Sequence, residues 1–327
     1  MTQIISPNAG VDCSPADEPL LQERVASVLG YRMAYVTGGE GESLILLHGL
    51  GHASSAWNGV LPALARRFRV FAVDMLGCGR SDKPHIDYHL WSMASYLRFF
   101  MDAVGIRRAH LIGHSLGGGI AMQTKFQYPE RVDRLALISS GGFGRELRLL
   151  LRLPTIPGGS AIMTVVTRPF WDRVIKLFGY REPTTLLKIE TRKQWLTLAE
   201  PEYRWAFMGM LRGVSNITGQ TVSALDRLHL LQSPVLLVWG DHDRTIPVAH
   251  AKRAARLIPN CQLEILPGCG HYPALQCPEV VADLVERFLL ASVPASEKLA
   301  AQPAELERAN HRKMLVEQSG EFSSGIA

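Results

Sequence analysis

Hydrophobic positions between residues 31 and 290 fall into two alternating patterns. Short runs rich in aliphatic and β-branched residues, at 31–36, 44–48, 70–74, 110–114, 135–139, 235–239 and 263–266, have the length and composition of strands. Longer segments lie between them, at 57–68, 90–104, 116–128, 248–257 and 278–290, and several repeat apolar residues three and four apart, as a helix with one buried face requires. Strand and helix in alternation predict an α/β fold: a mostly parallel central sheet with helices on both faces. The alternation stops from about Gly142 to Ser223, where Pro154, Pro157, Pro169, Pro183 and Pro201 separate helix-like pieces. An insertion after one sheet strand and before another falls over the carboxyl ends of the strands, where open α/β sheets bind ligands. The expected organisation is a flexible segment at 1–22, a core formed by 23–141 and 224–292, a helical lid at 142–223, and a mobile tail at 293–327.

Composition narrows the class. A 327-residue chain with 47% hydrophobic and 20% charged residues is ordinary for a globular protein. Residues 1–20 lack a cationic start followed by an apolar run, so they do not read as a secretory signal, and a cytoplasmic protein is expected. No apolar stretch approaches the roughly 18–20 residues that cross a bilayer. The five cysteines, Cys13, Cys78, Cys261, Cys269 and Cys277, are odd in number and lack metal-ligand spacing, so free thiols and no metal are expected. The net charge of +5 comes without a basic run interleaved with aromatics, so no nucleic-acid partner is expected. The insertion is the basic part: residues 143–222 hold twelve Lys and Arg against six Asp and Glu. Such a face is either simply solvated or a peripheral contact for anionic lipid.

The run His110-Leu111-Ile112-Gly113-His114-Ser115-Leu116-Gly117-Gly118-Gly119 places G-x-S-x-G between a predicted strand and a predicted helix. A sharp turn there strains the backbone at the serine and requires small neighbours at 113 and 117. It also holds the hydroxyl up toward a substrate and aims the Leu116 N–H at a developing oxyanion. A serine hydroxyl needs a base to become a nucleophile. Among the eleven histidines, His271 in Gly268-Cys269-Gly270-His271-Tyr272-Pro273 follows a strand on the same side of the sheet. After the strand at 235–239, Asp241 and Asp243 both offer a carboxylate to orient that base, and spacing alone leaves the two open. The loop His48-Gly49-Leu50-Gly51-His52 supplies the second oxyanion donor, the Leu50 N–H. His48 is expected to brace that loop, and His114 and His242 to be structural or to shape the pocket.

Four blocks in this order resemble the α/β-hydrolase superfamily over about residues 31–290: His48-Gly49; Asp74-Met75-Leu76-Gly77-Cys78-Gly79-Arg80-Ser81; Gly113-His114-Ser115-Leu116-Gly117-Gly118; and Trp239-Gly240-Asp241-His242-Asp243 with Gly270-His271. In similar proteins the acid of W-G-x-x-D-x-x-x-P is the second aspartate, which selects Asp243, with Pro247 completing the pattern. The chain order Ser115, Asp243, His271 is the order of that fold. The resemblance implies a serine hydrolase needing no cofactor, which cleaves a carboxylic ester, lactone or thioester with an apolar acyl part through an acyl-enzyme at Ser115. Serine at the nucleophile argues against the dehalogenases and epoxide hydrolases of the superfamily, which carry aspartate there. Carbon–carbon hydrolases acting on vinylogous diketones also use serine, but their loop usually reads HGxGPG and a tryptophan often follows the histidine, where this chain has Gly51-His52-Ala53 and Tyr272. A third reading keeps the fold as a slow-turnover receptor or scaffold. Candidate pocket residues are His114, Trp171, Trp205 and Tyr272. The natural substrate and the oligomeric state are not legible.

Overall fold

The structure, a computed structural model, describes residues 19–159 and 184–291, without the side chains of Gln194 and Trp195. An eight-stranded sheet organises it, built from β1 (Gln22–Val28), β2 (Tyr31–Gly38), β3 (Ser43–Leu47), β4 (Arg69–Val73), β5 (Ala109–His114), β6 (Val132–Ile138), β9 (Val235–Gly240) and β10 (Cys261–Leu266), in the spatial order β1-β2-β4-β3-β5-β6-β9-β10. Only β2 runs against the others, pairing antiparallel with both β1 and β4, whereas the remaining pairs are parallel. Every residue of β5 and β9 is buried, as expected of parallel strands covered on both faces. The covering helices in the first half are α1 (Leu61–Ala65), α2 (Leu90–Ala103) and α3 (Leu116–Gln127). The fold class is therefore the α/β architecture the hydrophobic pattern predicts.

Two local departures have clear causes. β1 is absent from the sequence expectation because four of its first residues are polar or exposed at a sheet edge, leaving almost no alternation to detect. It exists because the two-residue turn Leu29-Gly30, at φ 51° and 87°, folds it back onto β2 with Val28 opposite Tyr31. The single helix expected at 57–68 is instead a 3₁₀ turn, Ser54–Trp57, followed by α1. Pro62 lacks an N–H and fits only the first turn of a helix, so α1 starts at Leu61.

Between β6 and β9 the described residues contain α4 (Leu149–Arg152), α5 (Thr185–Thr197), α6 (Pro201–Val214) and a two-residue antiparallel ladder, β7 (Ser215–Asn216) with β8 (Gly219–Gln220). This ladder was not anticipated in a segment that reads as purely helical. α6 buries Tyr203, Ala206, Phe207, Met210 and Leu211 at three- and four-residue spacing. The chain ends its described part with α7 (Ala249–Ala255), α8 (Pro273–Gln276) and α9 (Pro278–Leu290). It divides into two compact units, Met1–Glu286 and Arg287–Ala327, and the site lies within the first. No described helix is long and apolar enough to cross a membrane.

The sheet is the main apolar reservoir, with the side chains of Leu44 to Leu47, Leu135 to Ile138 and Val235 to Trp239 fully buried. Leu237 belongs to a strand flanked by β6 and β10, so its truncation leaves a cavity that neighbours cannot easily fill. Leu237→Ala is expected to lower stability by about 2–5 kcal/mol, read as a reduced urea midpoint at constant slope; an unchanged midpoint would contradict this packing.

Candidate active site

The site is assembled at the carboxyl ends of β3, β5 and β9. Ser115 follows β5 and caps α3 with φ 53° and ψ −113°, a conformation that costs a non-glycine residue on the order of 1–3 kcal/mol. The turn is nonetheless over-determined. The Ser115 N–H donates to Ile138 O at 3.0 Å, and Ser115 O accepts from the N–H groups of Gly118 and Gly141 at 3.1 and 3.0 Å. A Cβ on Gly117 would lie 2.2 Å from Leu47 O, and one on Gly113 would lie 2.4 Å from Gly117 O. No other residue fits there, which is the physical content of the two motif glycines.

His271 reaches this turn from the loop after β10. Its Nε2 lies 3.1 Å from Ser115 Oγ and its Nδ1 lies 2.8 Å from Asp243 Oδ2, with His271 and Asp243 both buried. The other carboxylate oxygen of Asp243 accepts from the N–H groups of Thr245 and Ile246 at 2.8 and 2.9 Å, which fixes the carboxylate plane. Asp241 instead bonds the exposed ring of His242 at 2.7 Å and the Gly268 N–H at 2.8 Å, and so holds the two loops together. Those loops touch at Gly240, where a Cβ would meet Cys269 O at 2.2 Å. Gln276 Oε1 accepts from the Gly270 N–H at 2.9 Å and anchors the far side of the histidine loop.

On the other side of Ser115, a Cβ on Gly49 would sit 3.3 Å from Ser115 Cβ, so the loop carrying Leu50 packs directly against the serine. His48 braces this loop: its Nδ1 donates to Gly49 O at 2.8 Å and its Nε2 accepts from the Met75 N–H at 3.2 Å. The Tyr203 hydroxyl of α6 donates to Gly51 O. Asp74 shapes the neighbouring turn, accepting from the N–H groups of Ser54 at 2.6 Å and Arg80 at 2.9 Å. Leu116 opens α3, so its N–H has no partner inside the helix. A hydroxyl in reach of an imidazole, itself oriented by a carboxylate, is the arrangement that converts serine into a nucleophile.

The sequence profile of the alpha/beta hydrolase fold family matches residues 42–278. The chain belongs to that family. An uncharacterized protein of Mycobacterium tuberculosis is 38% identical over 304 residues, covering 89% of this chain and 87% of that protein. The 2-hydroxy-6-oxo-6-phenylhexa-2,4-dienoate hydrolase of Burkholderia cepacia is 28% identical over 258 residues, covering 74% of this chain and 85% of that one. Among solved structures, a meta-cleavage product hydrolase from Pseudomonas fluorescens, complexed with acetates, has a TM-score of 0.68 at 27% identity, covering 81% of this chain and 97% of that one.

In this hydrolase, Ser115 opens onto a pocket with about 550 Å³ of empty space, part of it open to solvent. Its wall is mostly aliphatic: Leu50, Leu116, Leu147, Leu151, Leu211 and Val222 are among the lining residues, with Gln220 and Thr245 as polar exceptions. The aromatic candidates lie elsewhere. Trp205 is partly exposed and stacks on His85 with centroids 4.2 Å apart. His114 and Tyr272 line a smaller cavity of about 230 Å³ together with His48 and Trp57. Trp171 lies outside the described residues. The sequence reading missed Leu147, Leu151 and Gln220, because a pocket wall drawn from a loop, a one-turn helix and a two-residue strand has no periodicity to reveal it. Leu211 was findable, since it continues the buried stripe of α6.

Buried histidines surround the triad geometry. His114 Nε2 donates to His271 O at 2.7 Å, which fixes its tautomer and holds the histidine loop to β5. Burial pushes its pKa well below the ordinary value, and the positive charge His271 would carry pushes it further. His52, which shares a hydrogen bond with the Tyr272 hydroxyl at 3.1 Å, is pushed down to about 3 by burial and by His48 and His271. Burial therefore opposes a positive charge on either imidazole. Among the described residues, no group of three or more His, Cys, Asp and Glu could hold a metal ion.

The sign of the linkage follows. The unfolded chain protonates His52 near the ordinary histidine value of 6.5, whereas the folded chain waits until about 3. Stability present above pH 6.5 is therefore lost as pH falls toward 3. The thermal midpoint is expected to drop between pH 6.5 and 4, and to drop less steeply in His52→Gln. Parallel pH curves for the two proteins would show that His52 does not contribute.

Proposed function

We propose that this protein is a serine hydrolase that cleaves a carboxylic ester, lactone or thioester with an apolar acyl part. The observation that carries the reading is the unbroken line from Ser115 Oγ through His271 to Asp243, at 3.1 and 2.8 Å, opening on an aliphatic pocket. In this mechanism His271 takes the Ser115 proton as Oγ attacks the carbonyl carbon, and Asp243 holds the useful tautomer and stabilises the imidazolium. The backbone N–H groups of Leu50 and Leu116 bind the developing oxyanion, whose stabilisation is the larger electrostatic contribution. His271 then returns the proton to the leaving group. Collapse of the tetrahedral intermediate leaves an acyl-enzyme at Ser115, and water activated by His271 releases the acid. The described part of the insertion, which lines the pocket through Leu147, Leu151, Leu211 and Val222, serves as a lid that shapes the acyl site.

A second reading is supported by the relatives: the Burkholderia cepacia protein is a 2-hydroxy-6-oxo-6-phenylhexa-2,4-dienoate hydrolase, at 28% identity. In that case the same serine and histidine cleave a carbon–carbon bond of a vinylogous diketone. Tyr272, which follows the histidine, points its hydroxyl at His52 and leaves the Ser115 pocket to aliphatic side chains. This environment favours the ester reading.

Ser115→Ala is expected to lower kcat on a short-chain aryl ester by about 10³–10⁶ while leaving the circular dichroism spectrum unchanged, and Asp243→Asn by about 10⁴. Wild-type turnover in Ser115→Ala would end the assignment. A panel pairing simple esters with a vinylogous diketone is expected to give the higher kcat/KM on esters. Faster cleavage of the diketone selects the second reading.

A further inference from the structure

The histidine loop carries a reactive pair that the hydrolytic chemistry does not use. Cys269 and Cys277 flank His271 in sequence, and their sulfurs lie 3.0 Å apart and share a hydrogen bond. Cys269 is buried, whereas Cys277 is partly exposed where α8 gives way to α9. Two thiols in contact differ from one, because they can be joined within the chain by a bond of about 2.05 Å. The other two described cysteines sit in inert surroundings. Burial pushes the Cys78 thiol up to about 12 and the Cys261 thiol up to about 11, so neither supplies a thiolate near neutral pH. The hydrogen bond from Cys269 instead holds Cys277 down to about 7, and that same bond, together with burial, raises Cys269. The more accessible sulfur is thus the nucleophilic one, and the buried sulfur stands ready to react with its oxidised partner.

The backbone is pinned at both sulfurs. Cys269 O accepts from the His242 N–H at 3.0 Å and the Cys269 N–H donates to Leu266 O at 3.4 Å, while the Cys277 N–H donates to Pro273 O at 2.8 Å and Cys277 O accepts from the Val281 N–H at 3.1 Å. A disulfide draws the sulfurs about 1 Å closer than they stand. With both ends anchored, that displacement falls on the residues between them, Gly270, His271, Tyr272 and α8. Gln276 Oε1 accepts from the Gly270 N–H at 2.9 Å and from the Cys269 thiol at 3.7 Å, and oxidation removes the second of these donors.

We infer that Cys269 and Cys277 form a redox switch on the His271 loop: a hydroperoxide joins them in a disulfide, which moves His271 out of line with Ser115 and suspends turnover until a dithiol reduces it. In the first step the Cys277 thiolate attacks a peroxide oxygen and the O–O bond breaks. A sulfenic acid forms, and water or an alcohol leaves with the thiol's proton. The Cys269 sulfur then attacks the sulfenic sulfur, the S–O bond breaks, and the hydroxide departs with the Cys269 proton as water. Two thiols thus lose two electrons and two protons, and the hydroperoxide takes up both. The dithiol chemistry stands on the two sulfurs themselves, whereas its effect on turnover rests on the serine-hydrolase reading.

The test treats the full chain, freed of reductant, with hydrogen peroxide. Peptide mapping should find a disulfide between Cys269 and Cys277, and kcat on an aryl ester should fall by roughly tenfold or more with KM little changed, since a misplaced base weakens the transition state and not substrate binding. Dithiothreitol should restore both the thiols and the rate. Cys277→Ser should keep the untreated rate and resist peroxide, and Cys269→Ser should stop at a sulfenic acid that dimedone traps. Should both variants fail to fold, the mapping and the recovery with dithiothreitol decide the matter in the wild-type protein. Oxidation of Cys277 to a sulfinic acid without a bridge overturns the switch. So does a bridged protein of undiminished kcat, or a loss of rate that is equal in Cys277→Ser. If no ester is turned over and a fluorophosphonate leaves Ser115 unlabelled, the hydrolase reading fails instead. The switch is then decided by mapping together with hydrogen exchange over residues 268–277, where identical exchange in the reduced and oxidised proteins overturns it.

Discussion

The backbone approach at the carboxyl ends of three parallel strands is the constraint from which the site follows. β5 turns into α3 so tightly that Gly117 touches Leu47 O, and the loop after β9 presses so closely on the histidine loop that Gly240 touches Cys269 O. Neither contact leaves room for a Cβ. With these approaches in place, Ser115 takes a positive φ and the side chains of Ser115, His271 and Asp243 meet within hydrogen-bonding distance. Sheet packing supplies the stability that this strain withdraws: β5, which leads into the turn, is wholly buried between β3 and β6 and resists any relaxation of it. The geometry of Ser115 is thus a property of the sheet as much as of the motif.

Around this geometry lies a shell of imidazoles that burial keeps neutral. His48 and His114 each use a ring N–H to hold a backbone carbonyl, one on the Leu50 loop and one on His271 itself. A charged group in either position would oppose the positive charge that His271 acquires when it takes a proton. Burial lowers the pKa of both, so they brace the loops without contributing charge. The Asp243 carboxylate, held by two backbone N–H groups, is the acidic group bonded directly to the His271 ring.

What the sequence reveals and what it withholds divide along physical lines. Chain order, the strand–turn–helix context and the glycines at 113 and 117 are local facts, so Ser115, His271 and the central strands are readable from the chain. The choice of Asp243 over Asp241 is not local: it depends on which carboxylate the turn at Thr245 and Ile246 captures, and only the resemblance to related chains supplied it. β1 escaped because an exposed edge strand need not alternate, and the helix expected at 57–68 was divided by the preference of Pro62 for a first turn. Pocket walls were the least legible. Aromatic residues in the insertion suggested the lining, yet Trp205 stacks on His85 while Leu147, Leu151 and Val222 face the serine. Hydrophobicity says that a residue is worth burying, not against what.

Charge shows the same limit from the other side. Twelve basic residues against six acidic ones in residues 143–222 read as a diffuse basic face. Folding breaks that average into different environments. Lys193 pairs at 2.9 Å with Glu190 one turn away on α5, where the lysine is exposed and the glutamate is buried and also accepts from the Ser55 hydroxyl at 2.7 Å. Arg145, Arg148 and Arg152, by contrast, join Arg244 from a loop nearly a hundred residues later, around a cavity that borders the Ser115 pocket. Identical side chains thus end in different surroundings, which no count of charges along the chain could foretell. The meeting of an aliphatic wall with arginine side chains beside Thr245 is therefore a consequence of tertiary structure and of no local run of sequence.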